Sequence, residues 1–253
     1  MAVVATLVVF AFAVLPRIHG DPVAVVIFTL FFLFMSAFFA VPVMMIVLIA
    51  GFLCQRGPTS QIAGYTAFAS RVNGELITYK LPFFNTLMPR AVVFTHRDVP
   101  CVMDMESVRS GKQNRTFTRL TFEWPRREAF ACQVVPQGML SFVTNWFGSQ
   151  DVRLGWEPFD DAFIVKTDDE AAVPSVLTRP VLELLLQLRE FASDHQPPKE
   201  MGSGYVECSI RANQVQVRMR GYLLTADDLL TFYQLGSTLF DQLDSAGAAT
   251  KGK

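Results

Sequence analysis

Residues 22–55 contain no charged side chain, and that run constrains the chain more than any other feature. As a helix it would extend about 50 Å, against roughly 30 Å of bilayer hydrocarbon. It is long enough to span once and too short to span twice. Pro42 inside it removes one backbone donor and favours a kink, which membrane helices tolerate. Phe28, Phe31, Phe32 and Phe38 form a dense aromatic stripe, read either as lipid-facing bulk or as a packing surface for a membrane partner.

Residues 1–15 are also uncharged and end at Pro16, but their helix would reach only about 23 Å. No Lys or Arg precedes this run and no small-residue cleavage site follows it, so it reads poorly as a signal peptide. The expected arrangement is a transmembrane helical hairpin, residues 1–16 and 22–55, turning at Pro16–Pro22. A single span with a buried N-terminus and a cleaved signal are the alternatives. Arg17 lies in the turn, whereas Arg56 and Arg71 follow the second helix. The positive-inside count then puts the remaining domain in the cytoplasm, at an inner membrane.

Composition supports a two-part chain. Apolar residues make up 51% and charged residues 18% of the 253 residues. Beyond residue 55, charged residues rise to about 22%, close to ordinary globular usage. The net charge of -1 gives no reason to expect a nucleic-acid partner. Cys54, Cys101, Cys132 and Cys208 show no paired spacing and read as free thiols. The domains expected are 1–56 in the membrane, an amphipathic connecting helix over 57–74, a globular domain over 75–245 and a frayed tail over 246–253.

In the connecting helix Ile62, Tyr65, Phe68, Ala69 and Val72 recur at helical spacing, and Asn73-Gly74 stops it. Strands are expected at Glu75–Leu81, Arg90–Thr95, Val99–Val108, Thr116–Trp124, Phe130–Pro136 and Phe159–Thr167. Period-two alternation makes them half-buried and antiparallel. One parity of the third is apolar, while the other includes Asp104 and Glu106. A helix follows over 180–193, with Leu182, Leu185, Leu186 and Leu188 inward. Residues 195–204 form a loop. Tyr205–Arg211 and Val215–Arg220 form a hairpin around Asn213, with Arg211, Arg218 and Arg220 on its solvent parity. Thr225 and Asp228 begin a capping box. Leu229, Phe232, Tyr233, Gly236, Phe240 and Leu243 line the inner face of the last helix. The fold class is α+β, an antiparallel sheet with two or three helices over one face.

Chemistry is harder to read. His19, His96 and His195 have no partner at metal-ligand spacing, so no metal and no cofactor is expected. His96-Arg97-Asp98 matches three letters of a kinase catalytic loop, without the glycine-rich loop or Asp-Phe-Gly that chemistry needs. Asp160-Asp161 and Asp168-Asp169-Glu170 read as turn and cap residues, or as an acid–base pair. Arg109, Lys112, Arg115 and Arg119 gather positive charge in one hairpin, read either as a solvated tip or as a contact for anionic headgroups. Trp146 and Trp156 flank a glycine-containing stretch, as a partner surface or a local core.

The pattern Gly155-Trp156-x-x-Phe159-Asp160-x-x-Phe163-x-Val165-x-x-Asp168-Asp169, followed by Leu177-Thr178 and a leucine-rich helix, resembles uncharacterised bacterial membrane-anchored proteins. In those, two N-terminal hydrophobic helices precede an α+β domain. The resemblance covers residues 150–190 best. It implies a bacterial source and this architecture, and brings no catalytic residue with it. Three functions follow from the sequence: a non-enzymatic interaction or scaffold protein, with a protein partner in the membrane, as an accessory subunit of a larger, energy-transducing complex; an anionic-lipid sensing domain; or an enzyme of unrecognised type.

Overall fold

The computed structural model describes residues 41, 44–45, 61–80, 87–110, 113–124, 131–137, 150–195, 204–211 and 213–250. The chain divides into two units, Met1–Gly57 and Pro58–Lys253. In the first, Val41, Met44 and Met45 are helical and exposed. The expected membrane helices otherwise lie outside the described residues. Among the described residues no helix is long and apolar enough to cross a membrane.

The second unit is α+β, as its alternation predicts. Helix α1 covers residues 61–71. Nine strands follow among the described residues: β1 (Glu75–Lys80), β2 (Leu87–His96), β3 (Val99–Ser110), β4 (Gln113–Glu123), β5 (Cys132–Pro136), β6 (Gln150–Val152), β7 (Phe163–Thr167), β8 (Val206–Arg211) and β9 (Gln214–Arg220). Between them lie α2 (Glu157–Asp160), α3 (Val173–Val176) and α4 (Arg179–Asp194), and α5 (Ala226–Thr250) closes the chain. The strands form one antiparallel sheet, ordered β1-β2-β3-β4-β9-β8-β5-β7-β6. Strands β1 to β4 are a meander; β9 returns from the far end of the chain to pair with β4 and joins the two halves.

Alternation decides the core. Cys101 and Met103 on β3, Leu120 and Phe122 on β4, and Val215, Val217 and Met219 on β9 point to one face and are buried. Helices α1, α4 and α5 cover that face. Helix α1 stops where Asn73 takes a φ of 49° and Gly74 N–H donates to the Ala69 carbonyl at 2.8 Å. Helix α5 approaches the sheet closely at Gly236, where a Cβ would stand 2.6 Å from Leu120 Cδ2. Phe240 stacks on Phe122 at 4.6 Å, and Trp124 Nε1–H donates to Asp244 at 3.0 Å.

Several boundaries depart from the sequence reading. Phe159 belongs to the single turn α2, which Pro158 starts, and its strand begins only at Phe163. Leu186 is only partly buried, while Leu182, Leu185 and Leu188 are inside. Helix α5 runs on to Thr250, past the expected end at 245, through small residues that a helix accepts. The short elements β6 and α3 carry too few residues for a periodic signal.

Candidate functional site

The face of the sheet opposite the helices carries the polar parity, and its central strands bring charges together. In register, Asp104 on β3, Arg119 on β4, Arg218 on β9 and Glu207 on β8 form one row across the sheet. Arg119 donates to Asp104 through Nε at 2.8 Å and Nη2 at 2.6 Å, a bidentate pair. Arg218 donates to Glu207 Oε2 through Nε at 2.8 Å and Nη2 at 2.5 Å. Two arginines directly opposite each other would repel. Glu106 lies between them, 3.3 Å from Arg119 and 3.6 Å from Arg218.

Glu207 is 4% exposed, and such a charge must be paired to be tolerated. Besides Arg218, it accepts from Gln133 Nε2 at 2.7 Å and from the Tyr205 hydroxyl at 2.6 Å. The Arg218 guanidinium also lies 4.9 Å over the Phe117 ring. Hydrogen bonding to Asp104 holds the Arg119 guanidinium above its ordinary value. Burial pulls Arg218 down most strongly, but Glu207 and Tyr205 together, by attraction and hydrogen bonding, leave that group raised as well. Burial, then Glu207, pushes the Tyr205 phenol up.

Asp104, Glu106, Arg119, Gln133, Glu207 and Arg218 line a cavity of about 550 Å³, together with Arg211, Gln216 and Thr121. Three carboxylates and three arginines balance in it, so the site offers hydrogen bonds rather than net charge. Open hydrogen-bonding positions remain there, Glu106 Oε2 among them. Gln133 is 6% exposed and lines the cavity, yet its Oε1 has no hydrogen-bond partner among the described residues. The Oγ of Ser209, opposite Gln133 in register, is in the same condition. Buried polar atoms are ordinarily satisfied, so a missing acceptor–donor pair marks a place for a ligand or partner group.

A second polar cluster ties α5 to the β2–β3 turn. His96 Nε2 lies 3.0 Å from Asp241 and Nδ1 lies 3.0 Å from the Tyr233 hydroxyl. A carboxylate accepts only, so a neutral ring donates from Nε2 to Asp241 and accepts a hydrogen bond from the Tyr233 hydroxyl at Nδ1. Arg97 reaches the same carboxylate at 3.0 Å. Arg97 and Asp98 take φ values of 47° and 65°, as a two-residue hairpin turn of this hand requires. The three letters shared with a kinase loop are therefore a turn that clamps a helix.

The residues singled out in the sequence fall as follows. Phe28, Phe31, Phe32, Phe38, Lys112 and Trp146 lie outside the described residues. Trp156 is partly buried, with the Arg179 guanidinium 3.4 Å above its ring. Arg109 is opposite Asn114 and Arg115 opposite Val108 near the β3–β4 connection. Arg119 is not at that tip but inside the charge row, committed to Asp104 and Glu106. Asp160 accepts from Leu154 N–H at 3.0 Å and Gly155 N–H at 2.8 Å; Asp169 accepts from Ala172 N–H at 3.2 Å. Both are turn and cap residues. Arg218, read as facing solvent, is instead paired within the cavity. Its signal was present in the alternation, but the carboxylates facing it become visible only with the strand order.

Cys101, Cys132 and Cys208 are free and buried. Burial pushes the Cys101 and Cys132 thiols up to about 12, and Cys208 up as well. Thiolate is the reactive form. The folded protein is therefore expected to leave these three unmodified by iodoacetamide at pH 8, and to expose them on denaturation, as peptide mass mapping would read.

Among the described residues no group of three or more His, Cys, Asp or Glu could hold a metal ion. No family model matches the chain, and no curated protein does. Among solved structures, the crystal structure of the mycobacterial trehalose monomycolate transport factor A is similar over 72% of this chain and 94% of its own, at 10% identity and a TM-score of 0.44.

Proposed function

We propose that the chain is a membrane-anchored interaction protein whose open sheet face receives a polar segment of a protein partner in the same membrane. The charge-free run over 22–55 supports the anchor. The observation that carries the docking site is the unpartnered, buried Oε1 of Gln133 in a charge-balanced cavity. A segment that brings a donor to Gln133 and paired charges to the row would complete it. Such an accessory subunit would sit in a bacterial inner membrane with its α+β domain in the cytoplasm, within a larger complex.

The test is extraction of the full-length protein in mild detergent, with identification of what elutes beside it. The wild-type chain is expected to bring one stoichiometric partner, retained as salt is raised, because balanced charges give little net screening loss. Thr121→Arg places a long cation in the cavity and is expected to release the partner while thermal unfolding stays near wild type. A partner retained by Thr121→Arg would move the docking site elsewhere. A lone protein in the wild-type eluate would sink the reading.

A further inference from the structure

Four of the large apolar side chains exposed on the second unit gather at one end of the sheet: Tyr79 (45%), Val108 (36%), Tyr222 (49%) and Leu224 (40%). The meander explains the grouping. The β1–β2 and β3–β4 connections fall at the same end, the β2–β3 turn falls at the other, and β9 finishes beside the start of β4.

The loop after β9 is held at that end by specific bonds. Gly221 N–H donates to the Thr116 carbonyl at 2.9 Å, and Leu223 N–H donates to Thr118 Oγ1 at 3.2 Å. The Thr116 hydroxyl donates to the Tyr222 oxygen at 3.0 Å. Leu223 is fully buried while its two neighbours are turned outward. The Leu224 carbonyl presses on Gly64 in the first turn of α1, where a Cβ would stand only 1.9 Å from that oxygen. So the exposed loop and the start of α1 are locked together.

Helix α1 is the first element after the charge-free run. Charge at this end is basic: Lys80 and Arg90 are exposed, and Arg115 is opposite Val108. Of the acidic groups near it, Asp227 pairs with Arg71 and Asp228 with His195, while exposed Asp194 adjoins His195, whose carbonyl lies beside Gly221. The other end of the sheet carries Asp98, Glu123, Asp241 and Asp244, with Arg97 paired to Asp241.

We infer that this end, with Tyr222 and Leu224 at its tip, rests in the headgroup layer of a lipid bilayer. A tyrosine with a wet hydroxyl and an apolar ring suits that layer, and cations beside it suit anionic headgroups. The inference rests on the membrane anchor proposed above and adds an orientation: the row of Asp104, Arg119, Arg218 and Glu207 would stand away from the lipid, open to a partner.

The experiment uses the full-length protein, labelled with 3-fluorotyrosine, in phosphatidylcholine nanodiscs with and without phosphatidylglycerol. Headgroup spin-labelled lipid is added and the fluorine lines are assigned by single Tyr→Phe variants. Tyr222 and Tyr79 are expected to broaden several-fold while Tyr233 keeps its width, and the contrast should grow with phosphatidylglycerol. Equal broadening of Tyr233, or none at Tyr222, in protein that stays with the disc would overturn the orientation and leave the anchor standing. Identical broadening in neutral and anionic discs would remove the cations from the contact. Failure of the protein to enter discs at all would overturn the anchor and this inference with it.

Discussion

Arg218→Ala is expected to destabilise the domain by about 3–5 kcal/mol, because it leaves a buried carboxylate without its counter-charge. Glu207 is 4% exposed and receives two bonds from this guanidinium. Gln133 and Tyr205 would remain as its partners, but both are neutral donors. Glu106 loses one of its two arginines at the same time. Guanidinium chloride unfolding of the full-length protein, followed by circular dichroism, reads the change. The double variant Glu207→Leu with Arg218→Met removes both charges and keeps the volume, so it should recover most of the loss. If Arg218→Ala unfolds at the wild-type midpoint, the row is solvated and cannot be an organised docking surface.

Phe122→Ala should cost a similar amount, about 3–5 kcal/mol, by a different route. The ring is fully buried at the centre of β4 and stacks on Phe240 of α5 with planes 10° apart. It also meets His96 edge-on at 6.0 Å. Truncation opens a cavity between sheet and helix and loosens the His96 contacts to Tyr233 and Asp241. Phe122→Leu keeps most of the volume and should cost less than half as much. Equal losses for the two variants would mean that the stacked geometry, rather than the filled space, holds α5 in place.

The separation of these two effects shows what alternation can reveal. The run Thr116, Thr118, Leu120, Phe122, Trp124 names the core parity of β4 directly, and Thr118, Leu120, Phe122 and Trp124 are buried. The Thr225 half of the capping box is legible in the same way: Asp228 N–H donates to Thr225 Oγ1 at 3.1 Å, while the Asp228 carboxylate turns to His195. Asp160 was ambiguous between chemistry and a turn because two backbone donors five and six residues upstream give no periodic signal. Arg119 looked like part of a basic tip because linear spacing counts charges along the chain and ignores the carboxylates across it.

By itself the sequence determined the α+β class and which parity of β3, β4 and β9 is buried. Those follow from local composition and a period of two, which need no knowledge of neighbours. Tertiary structure alone decided which polar side chains face each other. Arg218 meets Glu207 within a hairpin, but it stands beside Arg119 and Glu106 only because β9 pairs with β4 after about a hundred intervening residues. A strand's period fixes which face a side chain takes; register and strand order fix whose charge it meets. The candidate site is built from the second kind of information, so it became visible only when the sheet closed.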